Sequence, residues 1–351
     1  MRVVSVTTSQ GSYEVVIGPG ASRLLGEVVP PTASRVAIVS QAGIPAVVDP
    51  GVEHRVFFVP PGESAKTLAS VEALCRDFAR MGLARNDAVV ALGGGVVSDL
   101  AGFAASAYHR GIAYVNVPTT LLAQVDAAVG GNTVVNLPEV KNLVGAFWQP
   151  HAVLCDTDLL ASLPEREWAS GHGEMAKYAF LGSRSAGTDI LALSLAEQVA
   201  RCIEVKAAVV SADEREAGQR MVLNYGHTLG HAIEATALSS GHGQSISHGE
   251  AVAVGIMFAA LLARRLGRID DERVEVHRKV LAGFELPSRL PPDVERGRLV
   301  EFMSRDKKAD HDLTFVLDGP AGVEPVRRVP EADVMATLAE MEHGPEMGMG
   351  H

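Results

Sequence analysis

Strand-like hydrophobic runs and helical segments alternate along this chain, and this order is compatible with few folds. From Arg35 onward, short β-branched runs such as RVAIVS (35–40) and DAVVALGGG (87–95) alternate with segments of helical spacing such as residues 66–83. Parallel strands need long crossover connections, and helices between strands supply them. The sequence therefore predicts a mainly parallel sheet with helices on both faces.

The pattern changes near LPEREW (163–168), and beyond it nearly every segment has the spacing of an amphipathic or fully apolar helix. One of these predicted helices runs without a break from Gln219 to Thr236. A chain of 351 residues is too long for one ordinary core, so two domains are expected. The predicted organisation is an α/β domain at 1–165, an all-α domain at 166–343 and a frayed tail at 344–351.

Composition excludes some functions and leaves others open. A net charge of −11 argues against a general nucleic-acid binder, because such a protein needs a basic surface. No apolar run approaches the roughly 18 residues that cross a bilayer, and the N-terminus has no signal-peptide pattern. The three widely spaced cysteines suit reduced thiols. We therefore expect a cytoplasmic protein, in which any small anionic substrate would need a local cluster of Lys and Arg.

A glycine-rich turn follows the strand in VVALGGGVVSDLAG (89–102). The bare backbone of Gly93, Gly94 and Gly95 can bring N–H groups and a helix N-terminus against a diphosphate. The pattern is not GxGxxG, so a turn made for tight packing is the alternative.

A second strand end carries polar residues in VPTTLLAQVDAAVG (117–130). Thr119 and Thr120 lie at the carboxyl end of the strand, where open α/β sheets bind ligands, and Asp126 follows on a predicted helix. A helix cap and a solvated carboxylate are the alternative reading.

Glu174 and Lys177 are three residues apart in GHGEMAKYAF, so their side chains share one helix face. An exposed ion pair is the usual explanation of this spacing. The segment offers little other polar surface, which makes a buried functional pair an equal alternative.

Four polar residues, Arg220, Asn224, His227 and His231, fall on one stripe of the predicted 219–236 helix. Burying a cation, an amide and two imidazoles on one stripe is costly, so the pattern indicates a functional face.

A catalytic metal site usually has three protein ligands and one open coordination position for water or substrate. Glu174, His227 and His248 would supply the three ligands, and His231 and His242 compete for the same role. HxxxH alone is a weak motif, and the glutamate of HExxH is missing.

Taken together and in order, segments over residues 60–318 resemble the sugar phosphate cyclases, most closely the 3-dehydroquinate synthase family. The matching segments are GESAK, GGGVVSDLAGF, YHRG, VPTTLLAQVD, KNLVGAFWQP, LPERE, GEMAKY, DERE, LNYGHTLGHAIE, SHGEAVAVG and RDKK. The resemblance implies a dehydroquinate synthase-like fold, with an N-terminal domain that binds NAD and a helical C-terminal domain that carries metal and substrate groups.

The resemblance also assigns roles to residues. The zinc ligands, with cobalt as an alternative metal, would be Glu174, His227 and His248, and His231 would then belong to the substrate phosphate site. The implied cofactor positions are Glu63, Lys66, Gly93, Gly94, Gly95, Asp99, Thr119, Thr120 and Lys141.

For the substrate, the resemblance implies two anion sites. Lys206 and Arg220 would hold a carboxylate, and Asp126 and Lys177 would lie beside hydroxyls. The implied phosphate contacts are Arg110, Asn142, Asn224, His231, Lys307 and Lys308. In the family the arginine of the YHRG segment reaches across a dimer interface, so a homodimer is expected.

The implied reaction converts 3-deoxy-D-arabino-heptulosonate 7-phosphate to 3-dehydroquinate and phosphate in the shikimate pathway of aromatic amino acid biosynthesis. NAD is reduced and reoxidised within one turnover, so the net reaction is elimination and cyclisation. The alternatives are an aminodehydroquinate synthase or another cyclase of secondary metabolism, a metal-dependent polyol dehydrogenase that releases NADH, and an inactive homologue.

Two residues depart from the family pattern. The usual GGKT segment reads GGNT, so Asn132 replaces a lysine, and an amide can only form hydrogen bonds. A substrate that carries an amine in place of a hydroxyl would tolerate this neutral neighbour better than a lysine. His172, just before Glu174, is also unexpected.

Overall fold

The computed structural model describes residues 1–9, 11–181, 184–216, 218–239, 246–292, 294–305 and 313–342. The chain forms two compact units. We call residues 1–171 with 193–217 the sheet unit, and residues 172–192 with 218–351 the helical unit.

The sheet unit holds most of the strands of the chain. Its elements are β1 (Arg2–Thr8), β2 (Gly11–Ile17), α1 (Leu25–Val28), β3 (Arg35–Gln41), β4 (Glu53–Val59), α2 (Leu68–Met81), β5 (Ala88–Gly93), α3 (Gly95–Ala107), β6 (Ala113–Pro118), β7 (Asn132–Val135), β8 (Val144–Phe147), β9 (Ala152–Cys155), the first part of α4 (Glu165–Leu181) and α5 (Leu195–Ala212).

Seven strands form one sheet in the order β1-β2-β9-β6-β5-β3-β4. Every pair is parallel except β1 and β2, which pair antiparallel, so the prediction of a mainly parallel sheet is confirmed. The central strand β5 is buried on both faces: Val89 and Ala91 join one core, and Val90 and Leu92 join the other. A strand covered on both faces has to be continuously apolar, as VVAL is.

The strand order creates a switch in winding direction beside β5. The chain leaves β3 towards β4 on one side, whereas it leaves β5 through α3 towards β6 on the other side. Connections from adjacent strands that diverge in this way open a crevice at the carboxyl ends of the strands. The glycines at 93–95 lie at that end of β5.

The structure groups α5 with the sheet unit, whereas the sequence placed residues 193–217 in the helical domain. The physical reason is the partner of its apolar face, because α5 packs against β1. Ser211 Oγ also donates a 2.7 Å hydrogen bond to the carbonyl of Thr7, near the end of β1.

The helical unit contains the second part of α4 and, after α5, the rest of the described helices. Its other elements are α6 (His227–Ser239), α7 (His248–Arg265), α8 (Asp271–Gly283), α9 (Arg296–Arg305), β10 (Leu313–Leu317), β11 (Glu324–Val329) and α10 (Glu331–Glu342). The helix α7 is buried at every position from 249 to 263 except Glu250, so it forms the core of the unit and explains the apolar run AVAVGIMFAALLA.

The helical unit departs from the predicted all-α domain at one place. Strands β10 and β11 form an antiparallel pair, and β10 packs against α7. The apolar run LTFVL is too short for a helix of its own, and a strand buries it against the central helix. Over the part of the chain that the structure describes, no helix is long and apolar enough to cross a membrane.

Candidate active site

A carboxylate and two imidazoles converge in the helical unit. Glu174 Oε1 lies 3.1 Å from His227 Nε2 and 3.0 Å from His248 Nε2. One ligand atom from each of these residues lies within 4.8 Å of the other two. Glu174 is 1% exposed and the histidines are partly buried. The structure therefore brings together the three residues that the sequence proposed as metal ligands.

Close contact of two helices places Glu174 beside His248. A Cβ atom added at Gly173 would overlap the backbone of Gly249, so α4 and α7 touch where each carries a glycine. Each of these glycines is the direct neighbour of a candidate ligand in the sequence. Any larger residue at position 173 would push the two helices apart, and with them the carboxylate and the imidazole.

His227 begins a helix instead of lying within one. A 3-10 helix covers Gln219–Asn224, Gly226 has a φ of 82°, and α6 starts at His227. The predicted continuous 219–236 helix and its polar stripe are therefore wrong. The cause is packing against α7, because a Cβ at Gly255 would overlap the backbone of Gly226. Only glycine adopts this positive φ without strain, and the turn directs His227 towards Glu174.

The opposite ring nitrogens of both histidines have acceptors of their own. His227 Nδ1 lies 3.2 Å from the carbonyl of Tyr225, and His248 Nδ1 lies 3.2 Å from Glu234 Oε2. Because a carbonyl and a carboxylate only accept, each Nδ1 carries a proton, and each Nε2 faces Glu174 Oε1, where it would turn its lone pair to a bound cation. Metal-binding histidines are usually held in this way, so the donor set fits a divalent cation.

A second group could also hold a metal, namely His231, Glu234 and His248. Its members are less buried than Glu174, since His231 is exposed and Glu234 and His248 are partly buried. Glu234 Oε2, at 3.2 Å from His248 Nδ1, is placed to orient this imidazole. The other competitor from the sequence, His242, lies outside the described residues.

The surrounding charges favour the carboxylate form of Glu174 and the protonated form of His248. Burial raises the pKa of Glu174, but Lys177 and His227 lower it by more, so this pKa lies well below its usual range. Burial has the opposite effect on His248 and lowers its pKa. The hydrogen bonds of His248 to Glu174 and Glu234 outweigh burial and raise the pKa to about 10. Lys177 is 1% exposed and pairs with Glu174, so the pair is buried and not a surface ion pair.

Lys206 and Asp126 form an ion pair within the sheet unit. Lys206 also donates a 2.6 Å hydrogen bond to the backbone carbonyl of Asp126, and Lys206 is 5% exposed. The segment predicted as a helix around Asp126 is a short π-helical turn at Ala123–Ala127, which packs against α5. The structure thus pairs a residue expected at the substrate carboxylate with one expected at a hydroxyl.

The glycine-rich turn combines tight packing with an uncapped helix. A Cβ at Gly93 would lie 2.5 Å from Val97 Cγ2, and one at Gly94 would lie 3.0 Å from Thr120 Cγ2, so packing accounts for both glycines. Gly94 is the N-cap of α3 and supplies no side-chain acceptor. The N–H groups of Val97 and Ser98 donate to the carbonyl of Gly94, whereas no side chain caps those of Gly95 and Val96, which lie at the crevice beside β5 and fit a dinucleotide phosphate.

Lys66 contacts two other residues predicted for the cofactor, Glu63 and Asp99. Lys66 Nζ lies 2.7 Å from Asp99 Oδ2 and 3.3 Å from Glu63 Oε1, and it donates a 2.7 Å hydrogen bond to Asn142 Oδ1. Asn142 was expected at the substrate phosphate, but its side chain contacts this group. Burial raises the pKa of Asp99 to about 6, against the lowering effect of Lys66.

The remaining predicted residues are more scattered. Thr120 Oγ1 accepts a 3.2 Å hydrogen bond from Ala123 N, which is the cap that the alternative reading proposed. The other positions are a buried Thr119, an exposed Lys141, an exposed Arg110 with a φ of 64°, a buried Arg220, an exposed Asn224, and an exposed His231 whose ring centroid lies 5.4 Å from that of His227. Lys307 and Lys308 lie outside the described residues.

Both departures from the family pattern have partners. Asn132 Nδ2 donates a 2.8 Å hydrogen bond to Glu216 Oε1. His172 packs on Phe284 with ring centroids 5.2 Å apart, and burial lowers the pKa of this histidine. Sequence reasoning missed Glu216, Glu234 and Tyr225 as supporting residues, although the DERE and HAIE segments contain the first two.

Known proteins resemble the whole chain. The family models described as 3-dehydroquinate synthase N-terminal and C-terminal match residues 56–170 and 171–309. A putative aminodehydroquinate synthase of Amycolatopsis mediterranei (strain S699) is 49% identical, over 96% of this chain and 94% of that protein. A 3-dehydroquinate synthase of Caulobacter vibrioides (strain NA1000 / CB15N) is 41% identical, over 90% of this chain and 92% of that protein.

Two solved structures are similar to this chain over nearly its whole length. A 2-deoxy-scyllo-inosose synthase complexed with carbaglucose-6-phosphate, NAD+ and Co2+ is 26% identical with a TM-score of 0.84, over 97% of this chain and 100% of that one. The 2-epi-5-epi-valiolone synthase of Streptomyces hygroscopicus subsp. jinggangensis 5008, with NAD+ and Zn2+ bound, is 25% identical with a TM-score of 0.82, over 98% and 100%. The family models together span residues 56–309, so the chain belongs to the 3-dehydroquinate synthase family of carbon–oxygen lyases.

Proposed function

We propose that the protein eliminates phosphate from 3-deoxy-D-arabino-heptulosonate 7-phosphate and closes the ring to give 3-dehydroquinate. The observation that carries this proposal is the buried group of Glu174, His227 and His248 with Lys177 beside it, in a chain of this family. An aldol-forming, phosphate-eliminating reaction needs a polarised hydroxyl and bound anions, and the chain supplies residues for both.

The residues fit a bound divalent cation and NAD. A cation, for which we propose zinc, would polarise a substrate hydroxyl, and NAD would take up and return one hydride, so the cofactor is regenerated in each turnover. Glu174, His227 and His248 would hold the cation. Lys177, buried against Glu174, would supply a positive charge beside a hydroxyl that loses its proton.

In the sheet unit we propose that the uncapped N-terminus of α3 binds the cofactor diphosphate. Lys66 fixes Glu63 and Asp99 at this site, so the carboxylates are ordered before the cofactor binds. Thr119, Thr120, Lys141 and the three glycines at 93–95 complete the proposed cofactor positions.

Two sets of polar and cationic residues would hold the two ends of the substrate. For the carboxylate we propose Lys206 and Arg220, both buried. Buried cations give up much of their hydration, so they bind an anion more strongly than exposed ones. For the phosphate we propose Arg110, Asn142, Asn224, His231, Lys307 and Lys308.

A second candidate substrate is the analogue that carries an amine in place of a hydroxyl. Asn132 puts a neutral amide where the family usually has a lysine, and its hydrogen bond leads to the carboxylate of Glu216. A substrate ammonium would be repelled by a lysine and tolerated by an amide beside a carboxylate. The relative from Amycolatopsis mediterranei carries the corresponding name.

We also propose that the protein is a cytoplasmic homodimer of the shikimate pathway or of a parallel aminoshikimate route. Support for the dimer comes from the exposed Arg110, which the family resemblance assigns to an interface. Support for a reducing compartment comes from Cys75, Cys155 and Cys202, which are free thiols.

Product analysis tests the proposal and chooses between the substrates. The purified protein with NAD and zinc receives equal amounts of the heptulosonate phosphate and its amino analogue, and mass spectrometry follows both carbocycles. The proposal predicts that one carbocycle forms from each accepted substrate in step with phosphate. Formation of an oxidised, uncyclised sugar phosphate would support a polyol dehydrogenase instead.

A further inference from the structure

We propose that His277 is a positioning residue of the metal centre, which acts through Tyr225 on the ligand His227. The inference rests on the metal centre of the proposed function. It concerns a group of buried polar residues in the helical unit that the reaction itself does not use.

The protonation of His277 follows from its two partners. His277 is fully buried, its Nδ1 lies 2.8 Å from the carbonyl of Arg273, and its Nε2 lies 2.8 Å from the hydroxyl of Tyr225. The carbonyl only accepts, so Nδ1 carries the proton of the neutral ring. Nε2 is therefore an acceptor, and the hydroxyl of Tyr225 donates to it. Burial lowers the pKa of His277, which agrees with a neutral ring.

Neighbouring groups fix the orientation of this imidazole. The ring stacks on Phe180 with centroids 3.8 Å apart and planes 4° apart. Arg273, whose carbonyl accepts from His277, is itself held by a 2.6 Å hydrogen bond to the buried carboxylate of Asp318. Asp318 in turn accepts from the N–H of Gly319. Every polar contact that aims Nε2 at Tyr225 is thus anchored in the core.

Tyr225 connects this anchored ring to the metal ligand. Its hydroxyl is bound to His277, and its backbone carbonyl accepts the 3.2 Å hydrogen bond from His227 Nδ1. The next residue is Gly226, at a φ of 82°, and glycine alone does little to fix the peptide that carries this carbonyl. The buried side chain of Tyr225 therefore adds to the packing of Gly226 against α7 in fixing where the carbonyl points, and the carbonyl holds the tautomer and direction of His227.

Packing alone does not require this arrangement. A phenylalanine at 225 would fill the same space, and burying a hydroxyl and an imidazole costs free energy unless both are paired. A network that is fully paired specifies one geometry, which is what a metal ligand needs.

Metal affinity of three variants tests the inference without using turnover. Tyr225→Phe removes the hydroxyl, His277→Leu removes its acceptor, and the double variant removes both. Thr337→Val is the matched control, because Thr337 is fully buried on α10 and its hydroxyl donates a 2.8 Å hydrogen bond to the carbonyl of Asp333. Zinc dissociation constants are measured with a competing chelator, and cobalt is added to record its visible absorption spectrum.

We expect Tyr225→Phe to weaken zinc binding by about tenfold, the lower end of the range for loss of an outer-shell partner, and to change the cobalt spectrum. The double variant should lose no more affinity than the larger single loss, because both residues act through one hydrogen bond. Thr337→Val should keep the wild-type affinity and spectrum. Metal-free thermal unfolding of each variant shows whether it is folded, and Tyr225→Phe alone decides if His277→Leu does not fold.

Wild-type affinity and an unchanged cobalt spectrum in Tyr225→Phe would overturn the positioning role and leave the metal centre in place. Additive losses in the double variant would also overturn it. A wild-type protein that binds neither zinc nor cobalt would instead overturn the metal centre, and with it the proposed function.

Discussion

The side-chain amide of Asn132 donates a 2.8 Å hydrogen bond to the carboxylate of Glu216. Asn132 begins β7, and Glu216 follows the end of α5, the helix that carries Lys206. The family resemblance predicts a lysine at position 132. In this chain the carboxylate of Glu216 is instead paired with the neutral amide of Asn132. This pair is the structural basis for a prediction about substrate choice.

Asn132→Lys should shift the preference towards the substrate with a hydroxyl. The new ammonium repels a substrate ammonium, so the ratio of kcat/KM for the hydroxyl substrate over the amino substrate should rise by about tenfold, or about 1.4 kcal/mol. Asn132→Met is the control, because it adds length without charge and should shift the ratio far less. An unchanged ratio in the lysine variant would remove position 132 from substrate selection.

Glu174→Gln should abolish metal-dependent turnover while the far-UV circular dichroism stays unchanged. The amide cannot supply the negative charge that a zinc ligand needs, so zinc affinity should fall by at least about 100-fold. Glu340→Gln is the matched control, since Glu340 forms ion pairs with Arg264 and Arg265 away from the histidines. Turnover at the wild-type level in Glu174→Gln would remove Glu174 from the metal site.

Gly173→Ala tests the close helix contact that joins the two ligands. The added Cβ overlaps the backbone of Gly249, so the variant should lose about 1–3 kcal/mol of unfolding free energy and bind zinc more weakly. Gly297→Ala in α9 is the control, because nothing lies within 4 Å of its new Cβ and helix propensity favours alanine. Chemical denaturation and chelator competition measure both effects. Equal stabilities of the two variants would contradict the packing argument.

Asp99 should titrate near pH 6 in the metal-free, cofactor-free protein, because burial raises its pKa to about 6. The folded state then keeps a proton that the unfolded state releases near pH 4, so this carboxyl favours folding below about pH 4 and progressively less as the pH rises to 6. Carbon-13 NMR of the aspartate carboxyls, assigned with Asp99→Asn, measures the midpoint. A midpoint below about 4 would show that the Lys66 pair outweighs burial.

Local patterns predicted the parts of the fold that depend on neighbours in sequence. The alternation of RVAIVS, DAVVALGGG and the helical segments predicts the parallel strands around β5, and the sequence indicates Glu174, His227 and His248 as candidate metal ligands, which the structure brings together. Spacing alone left His231 and His242 open as competitors, and the family resemblance made the choice. The antiparallel pairs β1–β2 and β10–β11 were not predicted.

The failures share one physical origin, which is contact between residues far apart in the sequence. The break at Gly226 depends on Gly255 in another helix, and no periodicity within 219–236 reveals it. The placement of α5 depends on β1, about two hundred residues earlier in the chain. The partner of Asn132 likewise comes from a distant loop, so the sequence identified the substitution but not Glu216.

The most direct test of the account follows phosphate and NADH together in one cuvette. The protein receives NAD, zinc and either the heptulosonate phosphate or its amino analogue. A coupled assay reports phosphate, and the absorbance of the reduced nicotinamide reports NADH. A cyclase that regenerates its cofactor releases many equivalents of phosphate per enzyme while NADH does not accumulate. NADH that accumulates in step with substrate consumption, without phosphate, would contradict the account and indicate a dehydrogenase.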